Sequence, residues 1–336
     1  MSRNWNSILF IICAICLNAC SKNSEQVQGD KNFIDSSNFN GSITGELELD
    51  PSIIYNLTGG LILEPGATLI VPAGTTIEAE PGDSYILVKK GADIVINGSI
   101  DLPVLMTTPE GSTNSWGGIL IAGNSFSSKG ENISKTIGKV NIDYGGNDFS
   151  ENSGTIKYLI LKNAGGLSNN NSAALSLFGV GSGTTIENVA FFNSVEGIKY
   201  TGGTVSSSNI YFENNSGSSI VIDEGWSGVQ SYSYVANDKP YTSIVSASGP
   251  NGRPTIDKFS ARTDQSALGF SFGGDSGANI TDLSMVGFAP SFMLTDNVET
   301  VNVLVEGENV NTDEDYNKAS KVNKESFNWA GNLIQL

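Results

Sequence analysis

The chain has 336 residues, with 18 Lys+Arg against 35 Asp+Glu, a formal charge of −17, and no histidine. The missing histidine removes imidazole bases, His-dependent triads and His-containing metal sites, and an acidic chain without clustered Lys and Arg speaks against nucleic acid as a partner. With 39 Gly and only 10 Pro beside abundant Asn and Ser, the composition favours short strands separated by tight turns.

The amino terminus carries Arg3, an apolar run from Ile8 to Leu17, and then Leu17-Asn18-Ala19-Cys20, the layout of a secretory signal closed by a lipoprotein cleavage box. The run is shorter than the roughly 20 apolar residues a membrane span needs, and the polar Ser21-Lys22-Asn23-Ser24-Glu25 follows it. Residues 1–19 are therefore expected to leave as a signal peptide, with Cys20 becoming the lipidated (palmitate-type) first residue. Cys13 and Cys16 lie in the removed segment, so no disulfide or cysteine metal site is available to the mature chain. Loss of Arg3 leaves 18 − 1 = 17 basic residues and a mature charge of 17 − 35 = −18. Residues 20–40, rich in Asn, Ser and charge, read as a flexible tether. The expected location is the outer membrane, held there by the lipid and facing the cell surface rather than the periplasm.

Residues 41–311 carry an internal repeat. Gly66-Ala67-Thr68-Leu69-Ile70-Val71, Gly91-Ala92-Asp93-Ile94-Val95-Ile96 and Gly118-Ile119-Leu120-Ile121 begin 25 and then 27 residues apart. Further on, one strand series is marked by Leu159, Val189, Ile210, Tyr232, Phe259, Leu283 and Val301, with a second apolar position two residues later at Leu161, Phe191, Phe212, Tyr234, Ala261, Met285 and Val303. A second series is marked by Leu175, Ile198, Ile220, Ile244, Leu268 and Phe292, spaced 23, 22, 24, 24 and 24 residues apart. Alternation by two within a phrase puts one strand face inward. Recurrence at a near-constant interval lets equivalent strands pair only if each coil stacks on the one before. The pattern predicts an all-β, right-handed parallel β-helix of roughly ten coils, a rod about 50 Å long at about 4.8 Å per coil.

Within the rod, residues 111–154 read as a long projecting loop, the kind of segment that tends to carry function. The outward column of the second series, Ser176, Lys199, Val221, Val245, Gly269 and Met293, holds three apolar residues, to be covered by a loop or a partner. Residues 312–336 read as a cap: Thr312-Asp313-Glu314-Asp315 opens a short helix over Tyr316 to Val322, and with Phe327, Trp329, Leu333 and Ile334 it covers the apolar end of the solenoid.

Several pieces recur together: Cys20, Ala73-Gly74-Thr75-Thr76-Ile77, Trp116-Gly117-Gly118-Ile119, Tyr144-Gly145-Gly146-Asn147, Gly181-Ser182-Gly183-Thr184-Thr185-Ile186, Gly202-Gly203-Thr204 and Asp223-Glu224-Gly225-Trp226. On these pieces the chain resembles uncharacterised right-handed β-helix lipoproteins of the Bacteroidota, often encountered near outer-membrane glycan-uptake systems. The resemblance implies an envelope location, carbohydrate handling and outer-membrane uptake proteins as partners; it brings no catalytic residues.

For function, glycan sites present aromatic faces beside polar groups. Trp226, next to Asp223 and Glu224, is the first candidate, followed by Trp116 and Tyr144, with Tyr158 and Tyr211 outward by strand alternation. A glycosidase needs converging carboxylates, and the candidates are Asp257 and Asp282 one coil apart with Glu187 along the same side. A lyase would add a basic group, for which Arg253 and Arg262 lie near Asp257 and Asp264. No cofactor is called for, calcium being the one ion the acidic composition leaves open. The sequence thus points first to a non-catalytic protein that binds polysaccharide as an accessory to glycan uptake. A polysaccharide lyase or hydrolase, and an adhesin or structural protein, are the alternatives.

Overall fold

The computed structural model describes residues 35–110, 115–167, 172–250, 252–296, 298–316 and 322–331. Cys20, the signal segment, and Leu333 and Ile334 of the expected cap lie outside them. Strand structure begins with Phe39–Ile43, after a 3-10 turn at Ser36–Asn38, so the expected tether is already ordered before residue 40.

The fold is a parallel β-helix of about ten turns, as the periodicity predicts. Each coil visits three sheets. In the carboxyl-terminal coils one long strand, such as Gly154–Lys162 or Thr185–Phe192, serves the first two sheets by bending at a single residue. The bend residues form a column, Tyr158, Asn188, Asn209, Tyr232, Lys258 and Asp282, all with φ between 50° and 57°. Asn and Asp tolerate this left-handed conformation because their short polar side chains bond locally. The two tyrosines and the lysine adopt it at a cost. A second column of left-handed asparagines, Asn163, Asn193 and Asn214, closes the second sheet. Beneath it Asn215 and Asn237 are buried and stacked: Asn237 Oδ1 accepts from the Asn215 amide at 3.1 Å, and Asn215 Oδ1 accepts from the Ser194 amide at 3.1 Å.

The interior is a continuous stack of apolar columns. In the second sheet Val104, Leu159, Val189, Ile210, Ser233, Phe259 and Leu283 are in register. Here the expected markers are corrected. Ser233, not Tyr232, is the inward residue, Val235 replaces Tyr234, and Val301 belongs to a 3-10 turn, with Val303 pairing to Ala278 in the first sheet. In the third sheet Val245 and Phe270 occupy the positions assigned to Ile244 and Leu268. Tyr232 adjoins Ser233 and Ile244 adjoins Val245, and a one-residue slip turns every side chain to the other face, while Phe270 lies two residues beyond Leu268. The true outward column is Ser176, Lys199, Val221, Ser246, Ser271 and Met293, so the expected apolar stripe shrinks to Val221 and Met293.

Gly118–Ile121 is corrected in the same way, because Ile119–Ala122 pairs with Tyr85–Val88 and Leu175–Phe178 in the third sheet rather than following Asp93–Asn97. The projecting insertion is therefore residues 123–153. It carries an antiparallel hairpin, Ile133–Ile137 with Val140–Tyr144, whose Ile137, Val140, Ile142 and Tyr144 pack on Leu87, Leu120, Ala122 and Phe178 of the third sheet.

The carboxyl-terminal segment divides its work. Residues 317–321 of the expected helix lie outside the described residues, and the helix seen is Asn328–Gly331, after a 3-10 turn at Lys324–Phe327. Val310 and Tyr316 close the interior, the Tyr316 ring meeting Phe292 edge-on with centroids 5.0 Å apart. Phe327 and Trp329 do not cap the end. They lie against the outer face of the second sheet, on Ile160, Ala190, Phe192 and Tyr211, because that outward column is itself apolar and needs cover.

Candidate functional site

The residues singled out from sequence are brought together, but not as an exposed platform. Trp226 is fully buried, stacked on Tyr200 with ring centroids 3.8 Å apart and 10° between planes, and its indole N–H donates to the Val205 carbonyl at 2.8 Å. Trp116 is also fully buried and donates to the Lys162 carbonyl at 3.2 Å. Neither ring can stack on a ligand. Tyr211 lies under Phe327, with centroids 5.4 Å apart, and Tyr158 meets Trp329 edge-on. The expected aromatic platform at these positions is thus corrected: each ring fills the solenoid or the seam beneath a covering segment.

Glu224 and Tyr144, predicted from distant stretches, do meet. The Glu224 carboxylate is 1% exposed. It accepts from Tyr144 Oη at 2.6 Å, Ser127 Oγ at 2.9 Å and Lys129 Nζ at 2.8 Å, with Lys135 Nζ 3.6 Å away. Burial alone pushes such a carboxyl up. Here the hydrogen bonds from Lys129, Tyr144 and Ser127 and the charge of Lys135 outweigh burial and hold Glu224 below its ordinary value. Burial and the bond to Glu224 drive the Tyr144 phenol upward, while burial lowers Lys135. All four partners come from the insertion, so this knot fastens the hairpin to the solenoid. Asp223 accepts from the Glu224 amide at 2.8 Å and completes the turn. The cluster is saturated by its own chain and is a fastening rather than a ligand site.

The carboxylates considered for catalysis are dispersed. Asp257 pairs in register with Ser231 and Thr281, while Asp282 sits at the bend. Glu187 is three rows from Asp257, roughly 14 Å at about 4.8 Å per row, beyond the roughly 9.5 Å upper separation of an inverting glycosidase pair. Arg262 pairs with Asp264 at 3.3 Å, and Arg253 donates to Asn302 Oδ1 at 2.7 Å, so neither faces Asp257 as a base. Among the described residues, no three acidic side chains converge in a way that could hold a metal ion.

A different surface has the form of a binding face: the outward side of the first sheet in the carboxyl-terminal coils. One column reads Thr155, Thr185, Ser206, Val229, Thr255 and Asn279, and the other Lys157, Glu187, Ser208, Ser231, Asp257 and Thr281. Strand alternation puts both columns on one face over six rows, a length of roughly 24 Å for five intervals of about 4.8 Å. Small side chains in the strand Ser206–Glu213 leave a trough of about 350 Å³, lined by Thr184, Thr185, Glu187, Ser206, Ser208, Val229 and Ser231. At its bend edge stands Tyr232, 45% exposed, with Lys258 Nζ 4.8 Å from its ring centroid. Lys258 also bonds Asp257 at 2.8 Å, Thr281 donates to Asp257 at 2.7 Å, and Lys157 lies 3.4 Å from Glu187.

Sequence reasoning missed this face. The signal is present in Thr184-Thr185 and Ser206-Ser207-Ser208, short hydroxyl runs one coil apart, but the repeat alone assigns Tyr232 to the inward markers. Only the register shows that it is an exposed ring at the rim.

Neither the curated proteins nor the solved structures give a match to this chain. Residues 41–329, nearly all of the solenoid and the covering carboxyl-terminal segment, match a family described as pectate-lyase like beta helix domain. With stacked parallel coils, three sheets and inward apolar columns all in place, the chain belongs to the pectate-lyase-like β-helix domain family.

Proposed function

We propose that this protein is a non-catalytic, lipid-anchored envelope protein that binds polysaccharide along the outward face of its first sheet, as an accessory to glycan uptake. The observation that carries the reading is the trough across three coils, lined by Thr and Ser hydroxyls and rimmed by the exposed Tyr232. Hydroxyl groups in a row offer both donors and acceptors, matching the hydroxyls of a sugar chain, while a ring presents an apolar face for the sugar's own apolar side. The wide spacing of Glu187 and Asp257 favours binding over hydrolysis. The anchor rests on the Leu17–Cys20 box, and the family's pectate-lyase-like description is compatible with a polysaccharide ligand.

The test is a glycan panel run on detergent-solubilised mature protein, scoring retention and released sugar together. Retention without product, weakened by Tyr232→Ala and unaffected by Ser271→Ala on the third sheet, supports the proposal. Release of sugar would replace it with the enzymatic reading. Anchoring is tested separately by metabolic labelling with a fatty acid: label present in the wild type and absent from Cys20→Ala supports it, and an unlabelled wild type refutes it.

A further inference from the structure

We infer that the ligand of the first-sheet face is a neutral polysaccharide rather than a uronate or other polyanion. This rests on the glycan-binding reading above and narrows it to a ligand class.

The inference comes from the charge along the face. The chain as a whole carries −17, yet nine of the twelve outward positions from Thr155 to Thr281 bear Thr, Ser, Val or Asn, and the remaining three are paired, Lys157 with Glu187 and Asp257 with the adjoining Lys258. Stated by residue, Lys157 lies 3.4 Å from Glu187 at one end, and Asp257 is held by Lys258 at 2.8 Å and by Thr281 at 2.7 Å at the other. Lys157 and Lys258 against Glu187 and Asp257 sum to zero. Between the two pairs, the column of Thr155, Thr185, Ser206, Val229, Thr255 and Asn279 carries no charge, nor do Ser208 and Ser231.

A polyanion would need cations to spare or a bridging metal ion. Both lysines are already engaged, Lys258 with the Tyr232 ring as well as with Asp257. No group of three acidic side chains among the described residues could hold a bridging ion. A neutral chain meets none of these penalties. It finds hydroxyl partners in the trough, the exposed methyls of Val229, and an exposed ring whose left-handed backbone, φ 51°, is one that a tyrosine adopts only at a cost. In the same column, Tyr158 has a packing reason for that conformation, its edge contact with Trp329. Tyr232 is 45% exposed, with Lys258 Nζ 4.8 Å from its ring centroid.

The experiment is affinity electrophoresis of the detergent-solubilised mature protein through gels containing a neutral glucan, mannan or galactan, or polygalacturonate with and without calcium. Retardation is expected in at least one neutral polymer and to persist when salt is raised to about 1 M, where the screening length falls to about 3 Å. Tyr232→Ala and Ser208→Arg, the second filling the trough, should each weaken it by about tenfold or more, with melting curves establishing that both variants are folded. Preferential retardation by polygalacturonate, or retardation that requires calcium or vanishes with salt, overturns the inference while leaving glycan binding standing. No retardation by any polymer overturns both.

Discussion

Tyr144 donates its hydroxyl to Glu224 Oε2 at 2.6 Å, joining the last strand of the inserted hairpin to a turn of the solenoid 80 residues further along the chain. Lys129 and Ser127 share the same carboxylate, so a single buried anion holds both the hairpin and the segment that leads into it. Breaking a buried charge pair by removing one partner costs about 3–5 kcal/mol. Glu224→Gln is expected to lie near the lower figure, because Lys129 reaches solvent, and Tyr144→Phe to cost about 1.5–3 kcal/mol as a lost bond to a charged group. Both should open the hairpin to protease before the solenoid unfolds. A cleavage pattern identical to that of the wild type would show that the hairpin is held by its apolar contacts alone.

Stability should peak on the acid side of neutrality. Burial raises Glu151 and Glu196 above their ordinary value of 4.5. As pH falls from neutrality through those raised values, the folded state takes up protons before the unfolded chain does and gains stability. Glu224 is depressed, so its contribution is complete above 4.5 and is lost as pH falls through its lower folded value. Asp257 behaves likewise, burial being outweighed by its bonds to Lys258 and Thr281. Melting temperature is therefore expected to rise modestly from pH 8 towards 5 and to fall steeply below about 4.5. A monotonic decline from pH 8 downward would contradict this balance.

Trp226→Ala tests whether that ring packs or binds. Truncating a fully buried aromatic costs about 3–5 kcal/mol, and here the Tyr200 stack and the bond to Val205 are lost as well. The variant is expected to melt at clearly lower temperature, while whatever fraction remains folded retains glycan with unchanged affinity. Lower affinity at full foldedness would return Trp226 to the binding surface.

The bend column offers a clean backbone test. Asn209 has φ 57° between Ser208 and Ile210. Asn209→Ala should destabilise by about 1–2 kcal/mol, the cost of left-handed backbone for a residue with Cβ and no local bonding group, while Asn209→Gly should be close to neutral because glycine adopts that region freely. Denaturant titration of the pair decides it, and equal losses would mean that the Asn side chain, not the dihedral, supports the bend.

The repeat was legible without coordinates because inward apolar residues recur wherever a coil passes the same sheet, and Leu159, Val189, Ile210, Phe259 and Leu283 do fall in one column. One coil that defeated the pattern has a polar interior. There Gln230 and Ser233 face inward, with Gln230 Nε2 donating to Ser233 Oγ at 3.0 Å and Tyr200 Oη donating to Gln230 Oε1 at 2.8 Å. The tyrosines on either side of Ser233 imitate the missing apolar residues. That substitution hid Tyr232, and with it the rim of the candidate face.

By itself, then, the amino-acid sequence determined the class of architecture, since a period of coil length with two-residue alternation has one stacked solution, and it singled out Glu224 and Tyr144 as residues of consequence. Only the tertiary structure decided what they do. Exposure depends on which segment covers which sheet, and residues 123–153 and 322–331 fold back over outward columns that would otherwise face water. The same folding back buries Tyr144 and Tyr211 and leaves the hydroxyl-lined face of the first sheet open.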